Sequence, residues 1–266
     1  MKLLCQVLSH INKNNQACGV RVVWWNIRAG GGRRIEDIRY QILDWRSDIV
    51  GLSEFRGTPP SRWLADGLRD AGLCYQVSTV DPRFPSQNSL LVASRWPICN
   101  ISSFPCTPET RRWVMVRVFS PRPLYLGVMH APNRVTGRKP AFLSCVYKIS
   151  SDYKLGDAFI GGDTNSGCIG VDEENPTFSG LEDGWMRSME TAGWSDAFRY
   201  IYGSLRAYSW YSPNGRNGFR LDQAFANRGM AQRIRDARYV WGTPRGLNCR
   251  RDVLSDHAAL LVDLHC

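Results

Sequence analysis

A chain of 266 residues, 43% hydrophobic and 22% charged, holds enough apolar side chain to bury one sizeable core, which sets aside a disordered or low-complexity protein. Its formal charge is +10 at pH 7, and of its 34 basic residues only five are lysine. Guanidinium groups fork onto phosphate oxygens, so this excess points to nucleic acid or another phosphate-rich partner, the plain alternative being a basic surface kept for solubility.

In chain order, the opening "MKLLCQVLSHINKNNQ" holds an apolar run too short for a signal peptide, and residues 1–19 read as an extension ahead of a single domain over 20–266. "VRVVWWNI" and "DIVGLS" have the continuous apolar character of buried strands, and "IEDIRYQILDW" between them spaces its apolar residues as a helix does. "SRWLADGLRDAG" repeats the helical pattern. "NSLLVAS", "RWVMVRVF" and "PLYLGVMH" follow as three strands separated by proline-containing turns, and strands without helices between them favour antiparallel pairing.

A helix over 141–153 leads to the strand and glycine turn of "DAFIGGDTNSG", then a loop to Gly180. "LEDGWMRSMETAG" is predicted to be a helix with Leu181, Trp185, Met189 and Ala192 on its core side. "FRLDQAFAN" and "AALLVDL" are the last two strands. The mixture predicts a large α/β protein with mixed sheets rather than a doubly wound parallel sheet. No stretch approaches the ~20 apolar residues of a transmembrane helix. Nine cysteines, none in a C-x-x-C pair, indicate neither a zinc ribbon nor a complete disulfide framework, and fit reduced thiols in a cytoplasmic or nuclear protein.

Polar residues recur at strand ends. Asn26 follows "VVWW", Glu54 follows "DIVGLS", His130 ends "LGVMH", Asp163 and Asn165 follow "AFIGG", and Asp256 and His257 precede "AALLVDL". Capping or turn formation explains any one of them alone; their recurrence is what suggests a site. Glu54, with Asn26 and Asp256, offers hard oxygen ligands suited to Mg²⁺, with Mn²⁺ as a substitute. Asp163 can deprotonate a water, Asn165 can hold a phosphate oxygen, and His257, oriented by Asp222, can donate to the same phosphate. Together they describe a metal-assisted phosphoester hydrolase.

In this order, "WN", "DIVGLSE", "MHAPN", "GGDTN", "YSW", "FRLDQAF" and "LSDH" resemble the endonuclease/exonuclease/phosphatase superfamily, nearest to exonuclease III-type abasic-site endonucleases. The resemblance implies a deoxyribonuclease I-like four-layer sandwich, two mixed β-sheets packed face to face and flanked by helices. It also implies a metal-dependent DNA endonuclease or exonuclease, with double-stranded DNA as the expected partner; a monomer is the default expectation, and the lack of an apolar span gives no reason to expect a membrane partner. Glu54, Asn26 and Asp256 would then hold the metal, Asp163 would prepare the water, Asn165 and His257 would bind the scissile phosphate, and Asp222 would orient His257. Trp24 and Trp25 are expected to pack rather than stack on a ligand.

Departures from that family bear on the substrate. His130 stands where the nearest branch has tyrosine and would bind phosphate or act as a general acid, unless it is a satisfied core histidine. Arg28 replaces a short Asn or Asp, and Phe55 and Arg56 replace Thr and Lys. Arg28, Arg33 and Arg34 either grip a phosphate backbone or form a solvated loop. Trp210, Phe219 and Leu221 match places that line a pocket for a base-less sugar, or else are core. Arg111, Arg112, "RIRDAR", Arg245, Arg250 and Arg251 are candidate DNA contacts, although any single one reads more readily as a solvated surface charge. The rival functions are a phosphatase or phosphodiesterase of small-molecule or lipid phosphoesters, and a non-catalytic nucleic-acid binder; the complete acidic and amide set argues against the latter.

Overall fold

Strand β1 (Gly19–Asn26) sends Val20, Val22 and Trp24 into one apolar cluster and Val23 and Trp25 into another. Apolar residues on both faces are what a strand covered on both sides requires, so this run places β1 in an inner layer. The computed structural model describes residues 19–101, 109–214, 216–242 and 253–265.

β1 leads through α1 (Ile35–Asp44) to β2 (Ile49–Phe55), which lies parallel to it. Around this pair grows a six-stranded sheet. Its order is β13 (Ile234–Val240), β14 (Ala259–His265), β1, β2, β4 (Ser89–Ser94) and β3 (Tyr75–Ser78). The second six-stranded sheet repeats the plan: β7 (Leu124–His130) and β8 (Ala158–Asp163) are parallel, joined through α3 (Lys139–Ser150). Its order is β5 (Ile98–Asn100), β6 (Trp113–Val118), β7, β8, β12 (Asp222–Asn227) and β9 (Trp194–Asp196). All other neighbours in both sheets are antiparallel. A short ribbon of β10 (Trp210–Tyr211) and β11 (Gly218–Phe219) stands apart.

Three apolar clusters define the layers. Val22, Trp24, Leu126, Val128, Phe159 and Leu260 fill the space between the sheets. Ile38, Ile42, Leu64 and Leu68, at helical spacing on α1 and on α2 (Pro59–Asp70), cover the outer face of the first sheet against Trp25 and Leu52. Phe142, Val146, Trp185 and Met189, from α3 and α4 (Gly180–Thr191), cover the second against Met115 and Ile160. α4 starts at a complete capping box, Ser179 with Glu182. With α5 (Ala197–Tyr202) and α6 (Arg228–Ala231), six α-helices are found among the described residues. The expected four-layer α/β sandwich of two mixed sheets is therefore present, and both tryptophans of "WW" are core.

Several finer expectations need correction. β4 belongs to the first sheet and does not pair with β6; the antiparallel run is β5, β6, β7. "FRLDQAFAN" divides into β11 and β12, and β3, β5 and β13 are additional strands. On α4, Leu181 is exposed and Met186 takes its place in the core. The 141–153 segment is α-helical from Lys139 and finishes as a 3-10 turn over Ser151–Tyr153. In "RIRDAR", Arg233, just before β13, is buried against Asp157 at 2.9 Å and Arg238, within β13, lies 2.8 Å from Asp263, so these two hold the fold, whereas Arg235 is about half exposed. Cys74, Cys99 and Cys168 are free thiols, but Cys145 is disulfide-bonded, against the expectation of reduced cysteines throughout. No helix among the described residues is long and apolar enough to cross a membrane. Of the extension expected over 1–19, Gly19 begins β1 and residues 1–18 lie outside the described residues, as do Arg245, Arg250 and Arg251.

Glycines let the sheets close on Trp24. A Cβ on Gly51 would meet the Trp24 ring at 3.2 Å, and one on Gly161 would meet it at 3.0 Å, so the indole lies between a glycine of each sheet. Gly162 has φ 128°, and a Cβ there would lie 2.1 Å from the Met129 carbonyl oxygen of the neighbouring strand. Gly162→Ala is therefore expected to lower stability by roughly 3 kcal/mol or more in urea unfolding. Gly184→Ala, on the open face of α4 with nothing within 4 Å of its Cβ, should instead raise stability by roughly 0.5–1 kcal/mol. Equal midpoints for the two variants would contradict this account.

Candidate active site

The strand directions bring the predicted residues to one end of the sandwich. Asn26, Glu54, His130 and Asp163 lie at or beside the C-terminal ends of β1, β2, β7 and β8. β12 and β14 run antiparallel to β8 and β1, so Asp222 and His257 reach the same end from the N-terminal side.

Glu54 is the extra residue of a β-bulge: the register with β4 shifts between Ser53 and Phe55, and Glu54 has φ 57°. Such a bulge re-aims a side chain that a regular strand would direct elsewhere. Glu54 Oε2 accepts the Ala29 N–H at 2.7 Å. The Asn26 amide donates to Glu54 Oε1 at 3.4 Å and to Asp163 Oδ2 at 3.0 Å, joining a carboxylate of each sheet. Asn26 Oδ1 accepts the Arg28 N–H at 2.9 Å. Asp163 Oδ1 accepts the Asn165 N–H at 3.0 Å, while the Asn165 side-chain amide donates to the Ala131 carbonyl at 2.9 Å.

His257 Nδ1 lies 2.9 Å from Asp222 Oδ2, and since an ionised carboxylate only accepts, Nδ1 carries the proton. His257 Nε2 faces Asp163 Oδ2 at 3.9 Å. The second imidazole, His130, places Nε2 3.6 Å from Asp163 Oδ2 and 4.0 Å from Glu54 Oε1. Asp256 is set to the side, its Oδ2 3.9 Å from Arg28 Nε.

Burial and charge set these groups apart. Burial would lower the His257 pKa, but Asp222, then Asp163 and Asp256, outweigh it and push the ring up to about 10. Burial lowers His130 below the usual imidazole range despite Asp163 beside it, so that ring is neutral at pH 7. Burial raises Asp163 above the usual carboxylate range. Glu54 is held below that range although burial works the other way, because the positive charge that His130 carries when protonated, the Ala29 N–H and the Asn26 amide favour its ionised form.

The donor chemistry fits a hard cation. Asp163, Asp222 and His257 bring one ligand atom each within 4.8 Å of one another. Asp222 Oδ1 is buried and has no hydrogen-bond partner among the described residues. These three are not the Glu54, Asn26 and Asp256 expected from sequence, but Glu54 adjoins them through the shared Asn26 amide. A protonated His257 has no free lone pair to give a metal, which turns attention back to the carboxylate and amide oxygens, the ligands that Mg²⁺ prefers.

The β10–β11 ribbon forms a neighbouring wall. Ala258 N donates to Ser209 O at 2.8 Å, and the Trp210 ring lies 6.3 Å from His257. Phe219 and Leu221 are buried, so Trp210, half-buried, is the member of the three with surface facing outward. Arg28 is exposed at the mouth, whereas Arg34 is spent on the carbonyls of Ile27, Arg28 and Leu254, and Arg112 on the His130 carbonyl and Glu109. Two residues escaped the sequence reading. Ser255 Oγ donates to the Asn26 carbonyl, and Ser209 Oγ accepts the N–H groups of Leu221 and Asp222. Both stand inside quoted motifs, "LSDH" and "YSW", and that placement was the only signal available. A cavity of about 590 Å³ beyond Phe55, lined by Arg62, Arg69 and Val80 among others, includes none of the site residues.

A model of the endonuclease/exonuclease/phosphatase family matches residues 23–257. No curated protein matches by sequence. Among solved structures, a variant of the 3′ phosphatase NExo from Neisseria, bound to a product DNA hairpin, has a TM-score of 0.75 at 18% identity, covering 93% of this chain and all of its own. An AP endonuclease from Archaeoglobus fulgidus gives 0.75 at 16% identity, covering 91% of this chain and 98% of its own. The AP endonuclease LMAP from Leishmania major gives 0.72 at 15%, covering 96% and 90%. These likenesses establish the deoxyribonuclease I-like fold.

In metal-free protein, ring-nitrogen NMR should find His257 still protonated at pH 7 and titrating near pH 10, as its surroundings dictate. Asp222→Asn should bring that titration down toward the ordinary value of about 6.5 or below. A wild-type ring that titrates near about 6.5 would contradict the assigned charge state.

Proposed function

The chain belongs to the endonuclease/exonuclease/phosphatase family, and we propose that it is a Mg²⁺- or Mn²⁺-dependent phosphodiester hydrolase acting on DNA, of the abasic-site endonuclease type. The observation that carries this reading is the Asn26 amide, which ties Glu54 of one sheet to Asp163 of the other beside the His257–Asp222 pair.

In this reading Glu54, Asn26 and Asp256 hold the metal, which when bound would polarise the phosphate and offset its developing charge. Asp163, its proton affinity raised by burial, takes a proton from the attacking water. Asn26 and the Asn165 N–H fix the Asp163 carboxylate in one orientation. His257, kept protonated by Asp222, offers Nε2–H to a phosphate oxygen, and the second Asn165 amide hydrogen, not used on Ala131, donates to the same group. His130, neutral, contributes a hydrogen bond without adding charge. As water adds to phosphorus, the bond from phosphorus to the leaving sugar oxygen breaks.

Nucleic acid is favoured as substrate by the +10 charge and by Arg28 at the mouth, more than half exposed. The DNA hairpin bound to the Neisseria protein and the names of the AP endonucleases point the same way. Trp210, backed by Phe219 and Leu221, would wall the slot that admits a base-less sugar.

The test uses end-labelled duplexes, one intact and one with a single abasic site, incubated with Mg²⁺. Incision at the abasic site is expected, and EDTA should abolish it. Glu54→Ala and Asp163→Asn should each slow it by ~10²- to 10⁴-fold with the fold intact. Near-normal turnover by either variant would sink the assignment of residues. Cleavage of neither duplex would shift the substrate to RNA or small phosphoesters.

A further inference from the structure

Lys139, the first residue of α3, has a side chain only 3% exposed. An ammonium buried this deeply must be paired, and Lys139 has two partners. One is Glu182 Oε1 at 2.9 Å; the other is the backbone carbonyl of Asn165, 26 residues along the chain. Glu182 is itself held on several sides. It belongs to the capping box of α4 and accepts the Ser179 N–H and hydroxyl and both Arg134 contacts at 3.2 Å; against burial, Ser179, Lys139 and Arg134 pull its carboxyl down to about 2. The lysine thus hangs from a fixed anion.

Asn165 needs such a hold. It has φ 48°, a left-handed conformation that costs a non-glycine residue about 1 kcal/mol or more. Its N–H is bound by Asp163 and its side-chain amide by the Ala131 carbonyl. Its own carbonyl is bound by Lys139. The peptides on both sides of Asn165 are therefore gripped, one by a site carboxylate and one by a buried cation.

We propose that Lys139 is a positioning residue, whose ammonium pins the Asn165 carbonyl and thereby sets both the amide offered to the phosphate and the N–H that orients Asp163. The assignment rests on the hydrolase reading for its catalytic consequence, but its structural half stands independently. A lysine that merely stapled α3 to α4 through Glu182 would have no need of the Asn165 carbonyl, and its loss would reduce stability without acting through Asn165.

Two measurements separate these roles. In ¹⁵N-labelled protein, Lys139→Met should move the backbone signals of Asn165 and Ser166 and the Asn165 side-chain amide, leaving those of β3 in place; unmoved Asn165 signals overturn the proposal. In metal-dependent cleavage of the abasic duplex, Lys139→Met should lower kcat by ~10- to 100-fold with KM changed by less than ~3-fold. Lys139→Arg, which keeps the cation, should recover most of the rate. The variant carrying both Lys139→Met and Asn165→Ala should lose clearly less than the product of the two single losses, because Lys139 acts in part through the Asn165 side chain and in part through its N–H, which alanine keeps. Multiplying losses, or no loss, would overturn the proposal. Should Lys139→Met fail to fold, Glu182→Gln loosens the same lysine and undergoes the same measurements. A wild-type protein that cleaves no phosphodiester would defeat the hydrolase reading, while the NMR comparison still decides the placement of Asn165.

Discussion

How closely the two sheets can approach is set by Trp24. Its indole lies between them, against the backbone of Gly51 on one side and Gly161 on the other, with its ring edge-on to Phe159 at 5.3 Å. A larger residue at either glycine would push the layers apart. Two residues beyond Trp24, the Asn26 amide reaches Asp163 in the opposite sheet at 3.0 Å. A hydrogen bond of that length tolerates little displacement, so the distance across the site is fixed by apolar packing one layer below it. Stability and chemistry meet in a single strand of eight residues.

Above that floor, electrostatics takes over. Glu54, Asp163, Asp222 and Asp256 crowd one end of the sandwich, an arrangement that burial and mutual repulsion oppose. Directed contacts offset it: the Ala29 and Asn165 N–H groups, the Asn26 amide and the protonated His257. Two buried ion networks then hold the loops that carry these groups. Arg220, fully buried, grips Asp172 through two nitrogens and Asp196 through a third, directly before Leu221 and Asp222. Lys139 and Glu182 occupy the corresponding place behind Asn165. Removing one partner from such a pair leaves a charge stranded in the interior, typically at a cost of about 3–5 kcal/mol. Both loops are therefore braced from behind by buried ion pairs.

The sequence made the inner strands legible because burial on both faces writes itself as unbroken apolar runs. The ends of those runs named the residues that the fold brings together. Edge elements carry no such mark: β3 and β13 are half-exposed and mix polar with apolar residues, and β5 has three residues. "RIRDAR" looked like a basic patch because its partners, Asp157 and Asp263, are far away in sequence. "FRLDQAFAN" looked continuous because the turn at Arg220 and Leu221 is stabilised by Asp172 and Ser209, not by local glycine or proline. On α4, helical spacing put Trp185 and Met189 on the inner face, where they are, but at the first turn it is Glu182 that is buried while Leu181 is exposed, and Met186 joins the core. Lys139 was visible as one of five lysines, with nothing nearby in sequence to mark it as buried.

Glu54 and Asn165 share a feature that packing alone does not require: both are non-glycine residues at positive φ, 57° and 48°. Glycine would adopt either conformation freely, so a sequence optimised for stability alone would place it there. Glycine would also delete the Glu54 carboxylate, which meets the Asn26 amide, and the Asn165 side-chain amide, which meets the Ala131 carbonyl. At each position the strain is held by contacts on several sides: the Ala29 N–H and Asn26 amide for Glu54, and Asp163, Ala131 and Lys139 for Asn165. Backbone strain persists only where the surrounding contacts over-determine it, as they do at these two positions. The two strained residues stand on opposite sheets, which gives each wall of the site one side chain whose direction is imposed by the backbone itself.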